Sequence, residues 1–416
     1  MNYKKIILNT SEVVTCSGSS AKYGEDMSQL NIIENGAVVI ENGLIKDVDK
    51  QEIILKKYDR NEHFIIDAGG NSVIPGFIDS HTHFIFGGYR EEEFSWRLRG
   101  DSYMEIMNRG GGIVSTVEST KKASLEELII SGKKRLDSML KLGVTTVEGK
   151  SGYGLDLDTE IKQLRAMKEI KKSHSIDVVV TFLGPHAVPK DYKGRENEFI
   201  DFQIEKVLPK VVEENLAEFA DIFCEKGVFD IEQSRKFLKR AKDMGLKLKI
   251  HADEIVQLGG AELAAELEAV SADHLLQVSD QGIEDMISGK VISTLLPTTA
   301  FCLKEKYAGG RKMIDKGAAV ALATDLNPGS SFTNSTPLLI SLAALYMNLS
   351  PEEILTALTI NGAAAVDRAG VVGSIDPGKK ADILILDYPS YKFLPYHVGV
   401  NIVKTVIKDG KIILIN

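Results

Sequence analysis

The stretch "GFIDSHTHFIFGG" places His81 and His83 two positions apart at the end of a hydrophobic run, in a chain of 416 residues that holds only eight histidines. Side chains two apart on an extended strand point to one face, so the two imidazoles project together. Three further polar residues fall at matching places: His251 closes "LKLKIH", His274 closes "SADH" and Asp325 closes "ALATD". Neutral imidazole and carboxylate suit Zn2+ or Fe2+, and His81, His83, His251 and Asp325 together leave a coordination position for water. Glu254 follows His251 by three residues in "HADE", just past the strand end, where a carboxylate serves as a proton shuttle without being a ligand. Glu254, His274 and Asp325 are the candidate catalytic groups.

Such residues need a scaffold that brings distant strand ends together. Eight short apolar segments alternate with helical patterns: "SVIPGFIDSHTH", "GVTTVEGK", "DVVVTFLGPHAV", "ADIFCEKGVF", "LKLKIHADE", "AVSADHLL", "VISTLLPTT" and "AVALATDLNPG". This is how a parallel sheet covered by helices is written, and eight repeats predict a (β/α)8 TIM-type barrel with its chemistry at the C-terminal strand ends. Both chain ends read instead as short strands and tight turns, with "ENG" near the start and "KDG" near the end. The fold class expected is therefore α/β: a barrel over 73–371 and a small β-sandwich domain built from both termini, 1–72 and 372–416.

The helices between the strands are legible. In "SLEELIISGKKRLDSMLKLG", Ser124 and Glu127 have capping-box spacing, Leu125, Leu128, Ile129, Leu136 and Leu140 form the apolar set, and Gly143 can close the end. Ile161, Leu164, Met167 and Ile170 make one stripe further on. The first two barrel strands are separated by about sixty residues, so "FGGYREEEFSWRLRGDSYMEIMNRGGGIVST" forms a long insertion at the barrel mouth, a place for function.

Composition narrows the partners. A formal net charge of -9 without basic runs argues against nucleic acid and anionic membrane, leaving a small molecule as the ligand. Neither a membrane span nor a signal peptide is legible, which predicts a cytoplasmic protein. Three scattered cysteines, Cys16, Cys224 and Cys302, fit neither a disulfide framework nor a cysteine-based zinc site. His63, His174 and His397 sit among charged or turn residues and read as surface or packing histidines. One pattern resists the barrel: alternation in "LKLKIH" puts Lys247 and Lys249 on the face of His251, where a barrel interior favours apolar groups, and requires a polar lower layer or a bend.

The string "PGFIDSHTH", followed in order by "HADE", "DH" and "TD", and the tail "GSIDPGKKADILILD", resemble the amidohydrolase superfamily over nearly the whole chain. That resemblance implies a metal-bearing barrel with a small β domain. Many members bridge two metals through a carboxylated lysine on the fourth strand. Here that strand ends in Glu225 and Lys226, while Lys150 belongs to the second strand, which points to one metal. Within the superfamily, "GKSGYGL", "LGPHAVP" and "DLNPGSS" are similar to the imidazolonepropionase family.

The resemblance implies hydrolysis of the cyclic amide of 4-imidazolone-5-propanoate to N-formimidoyl-L-glutamate, in histidine degradation. It makes His81, His83, His251 and Asp325 ligands of one divalent metal per chain, Zn2+ or Fe2+. Arg90, Tyr153, His186 and Glu254 become substrate contacts; Asn327, Gly329 and Ser330 become product contacts. Two positions depart from the family pattern, Ser330 for threonine and Gly149 for an apolar residue. Arg90 offers a planar fork for the propionate tail, His186 and His274 are candidate donors to the developing oxyanion, and the Asn-Pro-Gly turn could offer backbone N–H groups to a second carboxylate. The competing readings are a mononuclear deaminase of a guanine- or cytosine-type ring, which has no carboxylate for Arg90 to hold, and a non-catalytic scaffold barrel. A homodimer is the expected assembly.

Overall fold

The computed structural model describes residues 4–101, 105, 109 and 111–416. Part of the insertion after the first barrel strand, residues 102–104, 106–108 and 110, lies outside the described residues. The barrel strands are β1 (Phe77–Asp79), β2 (Val144–Lys150), β3 (Asp177–Phe182), β4 (Phe219–Ala220 continued by Phe223–Cys224), β5 (Lys247–Ala252), β6 (Ser271–His274), β7 (Ile292–Leu295) and β8 (Val320–Leu322). Neighbours pair in sequence order and in parallel.

The circle closes through residues just beyond β1 and β8. Asp325 N–H donates to His81 O at 3.0 Å, and His83 N–H donates to Leu326 O at 2.9 Å. The closure thus joins the two strand ends that carry His81, His83 and Asp325. Asp79 reinforces it from below, accepting from Thr324 N at 3.0 Å and Thr324 Oγ1 at 2.6 Å.

The chain ends build one eight-stranded sheet that rolls on itself and encloses a separate apolar cluster including Ile7, Val38, Ile45, Ile66, Ile383 and Ile407. Its "ENG" and "KDG" hairpins turn at Asn42–Gly43 and Asp409–Gly410, all at positive φ, the backbone such two-residue turns require. The segment expected to be one barrel strand, "SVIPGFIDSHTH", is divided. Phe64–Pro75 is a strand of the outer sheet, with Val73 opposite Val13 and Ile74 opposite Leu384, and the barrel begins only at Phe77. Gly76 makes the changeover because a Cβ there would lie 2.3 Å from Thr145 Oγ1. The sheet therefore runs three residues past position 72.

The helix Leu125–Lys141 starts at the expected capping box, and Leu128, Leu136 and Leu140 are buried. Ile161, Leu164, Met167 and Ile170 are buried on the helix Leu157–Ser173. Gly149, where an apolar side chain was expected, has no room for one: Phe84 and Met167 already occupy the space within 2.7 Å of a Cβ. The mouth insertion contributes the helices Glu91–Leu98 and Ile113–Lys122. No helix among the described residues is long and apolar enough to cross a membrane.

Candidate metal centre and active site

His81, His83, His251, His274 and Asp325 are all buried at the C-terminal end of the barrel. The ring of His81 lies 5.5 Å from that of His83, 4.6 Å from His251 and 5.4 Å from His274. Asp325 Oδ1 is 3.5 Å from both His81 Nε2 and His83 Nε2. Three overlapping triads have ligand atoms close enough to share one ion: His81 with His83 and Asp325, His81 with His251 and His274, and His83 with His186 and His251.

Among the described residues, His81 Nε2, both nitrogens of His251, His274 Nδ1 and Asp325 Oδ1 are buried without a hydrogen-bond partner. Buried polar atoms are rarely left unpaired. His81 Nε2, His251 Nε2 and Asp325 Oδ1 fit a divalent cation, which would satisfy them together, while His251 Nδ1 faces Asp221. Burial holds the imidazoles of His81, His83 and His251 well below their ordinary pKa, in the neutral form that ligates metal.

The outer atoms of these groups face polar partners. His81 Nδ1–H donates to Asp273 Oδ2 at 2.6 Å, which turns its Nε2 lone pair to the centre. His251 Nδ1 lies 3.0 Å from Asp221 Oδ2, and Asp325 Oδ2 accepts from Thr299 Oγ1 at 2.7 Å. Asp221 sits at the interruption of β4, where its Oδ1 accepts from Ile222 N and His251 N.

Below the histidines lies a buried charged layer: Glu148, Lys150, Asp221, Lys249 and Asp273 are all fully enclosed. This resolves the pattern in "LKLKIH". Lys249 points inward, donating to Ser80 O at 2.8 Å, whereas Lys247 is exposed at the strand start and pairs with Asp367. Burial opposes the Lys150 ammonium, but Asp221, Glu148 and Asp273 outweigh it and hold its pKa above the ordinary value. Lys226 is exposed.

Glu254 is packed at the rim with Oε1 3.6 Å from His274 Nδ1. Burial, then the charges of Asp325 and Glu225, push its carboxyl up to about 8. Its loop is fixed on both sides. Glu225 Oε2 accepts from Ile255 N at 2.8 Å, and Asp253 accepts from the N–H groups of Leu258, Gly259, Gly260 and Ala261.

Tyr153 is buried with its ring 5.7 Å from His83 and 5.3 Å from His186. Its glycine-rich loop hangs on Glu160, which accepts from Gly152 N, Gly154 N and Leu155 N at 3.1, 2.7 and 3.0 Å. His186 stacks on His83 at 4.9 Å and donates Nδ1–H to Gly152 O at 3.0 Å. Burial lowers its pKa to about 4, so the ring is neutral and Nε2 is an acceptor. Burial lowers His274 to about 4 as well, but its Nδ1 has no hydrogen-bond partner, whereas the Nδ1–H of His186 is committed to Gly152 O.

Arg90 reaches from the insertion to the turn that follows β8. Its Nε–H donates to Glu93 Oε2 at 2.9 Å, and its Nη1 end lies flat on Gly329, where a Cβ would come within 2.1 Å. Arg97 Nη2 donates to Gly329 O at 3.2 Å beside it. The turn "DLNPGSS" is satisfied internally. Asn327 Oδ1 accepts from Gly329 N at 2.8 Å and Ser330 N at 2.7 Å, and Asn327 Nδ2 reaches Ser330 Oγ at 2.9 Å. The expectation that these N–H groups are free for a carboxylate is therefore corrected: the turn offers a glycine seat for Arg90 instead.

His63, His174 and His397 lie away from this cluster. His63 and His397 pack against Tyr58 and Tyr388, and His174 meets Asp137 at 3.1 Å. Cys224 is buried and its thiol is pushed up to about 12 by that burial, an inert group. Asp273, Asp221, Glu148, Glu160 and Thr299 carry no role in the sequence analysis, and Lys249 enters it only as a residue that does not fit an apolar interior. Period-two spacing was the available signal for three of them: Lys249 is two from His251, Glu148 two from Lys150, and Asp273 two from the buried Ser271. Asp273 was masked by His274, since adjacent strand residues face opposite ways. His274 escapes that alternation because its φ is 78°.

Residues 72–413 match the model of the Amidohydrolase family. Among curated relatives, "Imidazolonepropionase" of Clostridium tetani (strain Massachusetts / E88) is 64% identical over 98% of this chain and 97% of its own length. That of Parabacteroides distasonis is 57% identical over 99% of both. Solved structures share the fold at low identity: triazine hydrolase from Arthobacter aurescens has a TM-score of 0.75 at 16% identity, covering 100% of this chain and 95% of its own. E. coli guanine deaminase has 0.71 at 14%, covering 99% of both chains. By sequence over its whole length and by its barrel with rolled terminal sheet, this chain belongs to the amidohydrolase family, among the imidazolonepropionases.

Proposed function

We propose that this hydrolase opens the ring amide of 4-imidazolone-5-propanoate with water, giving N-formimidoyl-L-glutamate, and that His81, His83, His251 and Asp325 hold one divalent cation, Zn2+ or Fe2+, for it. The observation that carries this reading is the convergence of buried, unpartnered imidazole and carboxylate atoms at the barrel mouth, in a chain 64% identical to a relative bearing that name. When bound, the cation would bring a water molecule toward neutral pKa and polarise the ring carbonyl.

The chain's own groups supply the rest. Glu254 takes a proton from the attacking water and returns one to the ring nitrogen as the C–N bond breaks, so a single carboxyl serves both directions. His274 donates a hydrogen bond to the carbonyl oxygen as its charge grows. The Arg90 Nη groups and the Tyr153 hydroxyl grip the propionate tail, a carboxylate that a nucleobase lacks. The layer of closed side chains beneath keeps bulk water out of the lower barrel.

Elemental analysis of purified protein, run with the ultraviolet absorbance of 4-imidazolone-5-propanoate with and without chelator, tests this directly. About one metal per chain and a chelator-sensitive loss of absorbance are expected. Metal without turnover would move the assignment to a deaminase, and absence of metal would remove the ligand assignment.

A further inference from the structure

We infer that Lys150 is a positioning residue for the metal ligands, one ammonium that fixes two histidines at once; the inference rests on the reading of His81 and His251 as ligands. Lys150 Nζ is 2.8 Å from Asp221 Oδ2 and 3.5 Å from Asp273 Oδ2. Those same oxygens lie 3.0 Å from His251 Nδ1 and 2.6 Å from His81 Nδ1. The two carboxylates that orient ligands just after β1 and on β5 therefore share a single cation from β2. Glu148 Oε1 holds that cation from its third side at 2.8 Å. The backbone of the same residue joins in, because Lys150 N–H donates at 2.9 Å to the carbonyl of Thr82, between His81 and His83.

Stability does not account for this arrangement. Removing several charges from water costs more than burying branched apolar side chains of similar volume, and such clusters are often replaceable at no loss of stability. Barrel interiors are ordinarily filled by Val, Ile and Leu. What the ammonium provides is a fixed midpoint for two like-charged carboxylates. Without it Asp221 and Asp273 repel each other and release the imidazoles they hold. Lys249 is the internal comparison. It is equally buried, yet it spends a hydrogen bond on Ser80 O and stays 3.7 Å from Glu148 and 3.8 Å from Asp273.

The test is Zn2+ binding to chelator-stripped full-length protein, read by competition with a chromophoric chelator, together with the visible spectrum of the Co2+ form. Lys150→Met should weaken Zn2+ about 10- to 100-fold, the usual effect of losing a group that orients ligands, and should alter the Co2+ bands. Lys249→Met should bind Zn2+ within about threefold of wild type, well below that range. Wild-type affinity and an unchanged Co2+ spectrum in Lys150→Met would overturn the assignment, as would equal losses in the two variants. If Lys150→Met does not fold, the charge-balanced pair Lys150→Met with Glu148→Gln carries the same reading: weakened Zn2+ supports it, unchanged affinity overturns it. Failure of both to fold would make Lys150 a support of the fold and overturn it too. Wild-type protein that takes up no Zn2+ would instead refute the ligand set on which the inference stands.

Discussion

Gly329→Ala separates the placement of Arg90 from the integrity of the fold. The backbone at Gly329 is not among those at positive φ, so alanine is tolerated there without strain. Its Cβ would stand 2.1 Å from Arg90 Nη1, where ordinary contact begins near 3.4 Å, so the guanidinium must retreat by about 1.3 Å. The obstacle is the end of a flexible side chain, and the fold should lose little. The hydrogen bonds from the displaced Nη groups to the substrate carboxylate should be lost, at about 1.5–3 kcal/mol for bonds to a charged group. At 1.36 kcal/mol per decade this is a fall of about 10- to 150-fold in kcat/KM, carried mostly by KM because the tail is held alike in ground and transition states. Arg90→Ala should cost the same. The double variant should be no worse than either single one, since both remove one interaction. Steady-state kinetics on the four proteins, with thermal melts alongside, give the answer. Unchanged kinetics in Gly329→Ala, or simple additivity in the double variant, would refute the placement of Arg90 at the carboxylate.

Glu254→Gln should lower kcat by about 10²- to 10⁴-fold, the usual share of a general acid–base group, with metal content unchanged by elemental analysis. A base must be ionised first, so wild-type rate should fall as pH drops through the Glu254 pKa, which stands at about 8 without a cation and lower beside one; the variant should lose that limb. Glu160 is held at about 7 against an ordinary 4.5, burial being the main cause. The folded state thus keeps a proton that the unfolded chain has shed, and stability should fall by about 3 kcal/mol as pH rises from about 4.5 to 7. In Glu160→Gln, urea midpoints at pH 5 and 7.5 should lie closer together, while KM rises because an amide N–H₂ meets one of the N–H groups of the Tyr153 loop. Adding Zn2+ to stripped protein at about a thousand times its Kd should stabilise it by about 4 kcal/mol, read as a raised melting temperature.

The sequence by itself determined the elements and the chemistry at their ends. Apolar runs of strand length punctuated by caps and glycines gave eight strands, because periodicity and capping are local properties. His81 with His83, His251, His274 and Asp325 could be singled out because each closes such a run. Only the tertiary structure decided what the ends do to one another. The break at Gly76 depends on Thr145, a residue of the neighbouring strand, and no local pattern records it. The internally satisfied turn at Asn327 and the neutral, acceptor state of His186 depend on hydrogen bonds whose partners the spacing does not name. The charged layer is the clearest case. The spacing of Lys249 with His251 hints at a polar layer, but Glu148, Lys150, Asp221, Lys249 and Asp273 become one network only when β2, β4, β5 and β6 are wrapped into a circle. Burial then makes pairing obligatory for each of them, and it is barrel closure, a long-range property, that supplies the partners.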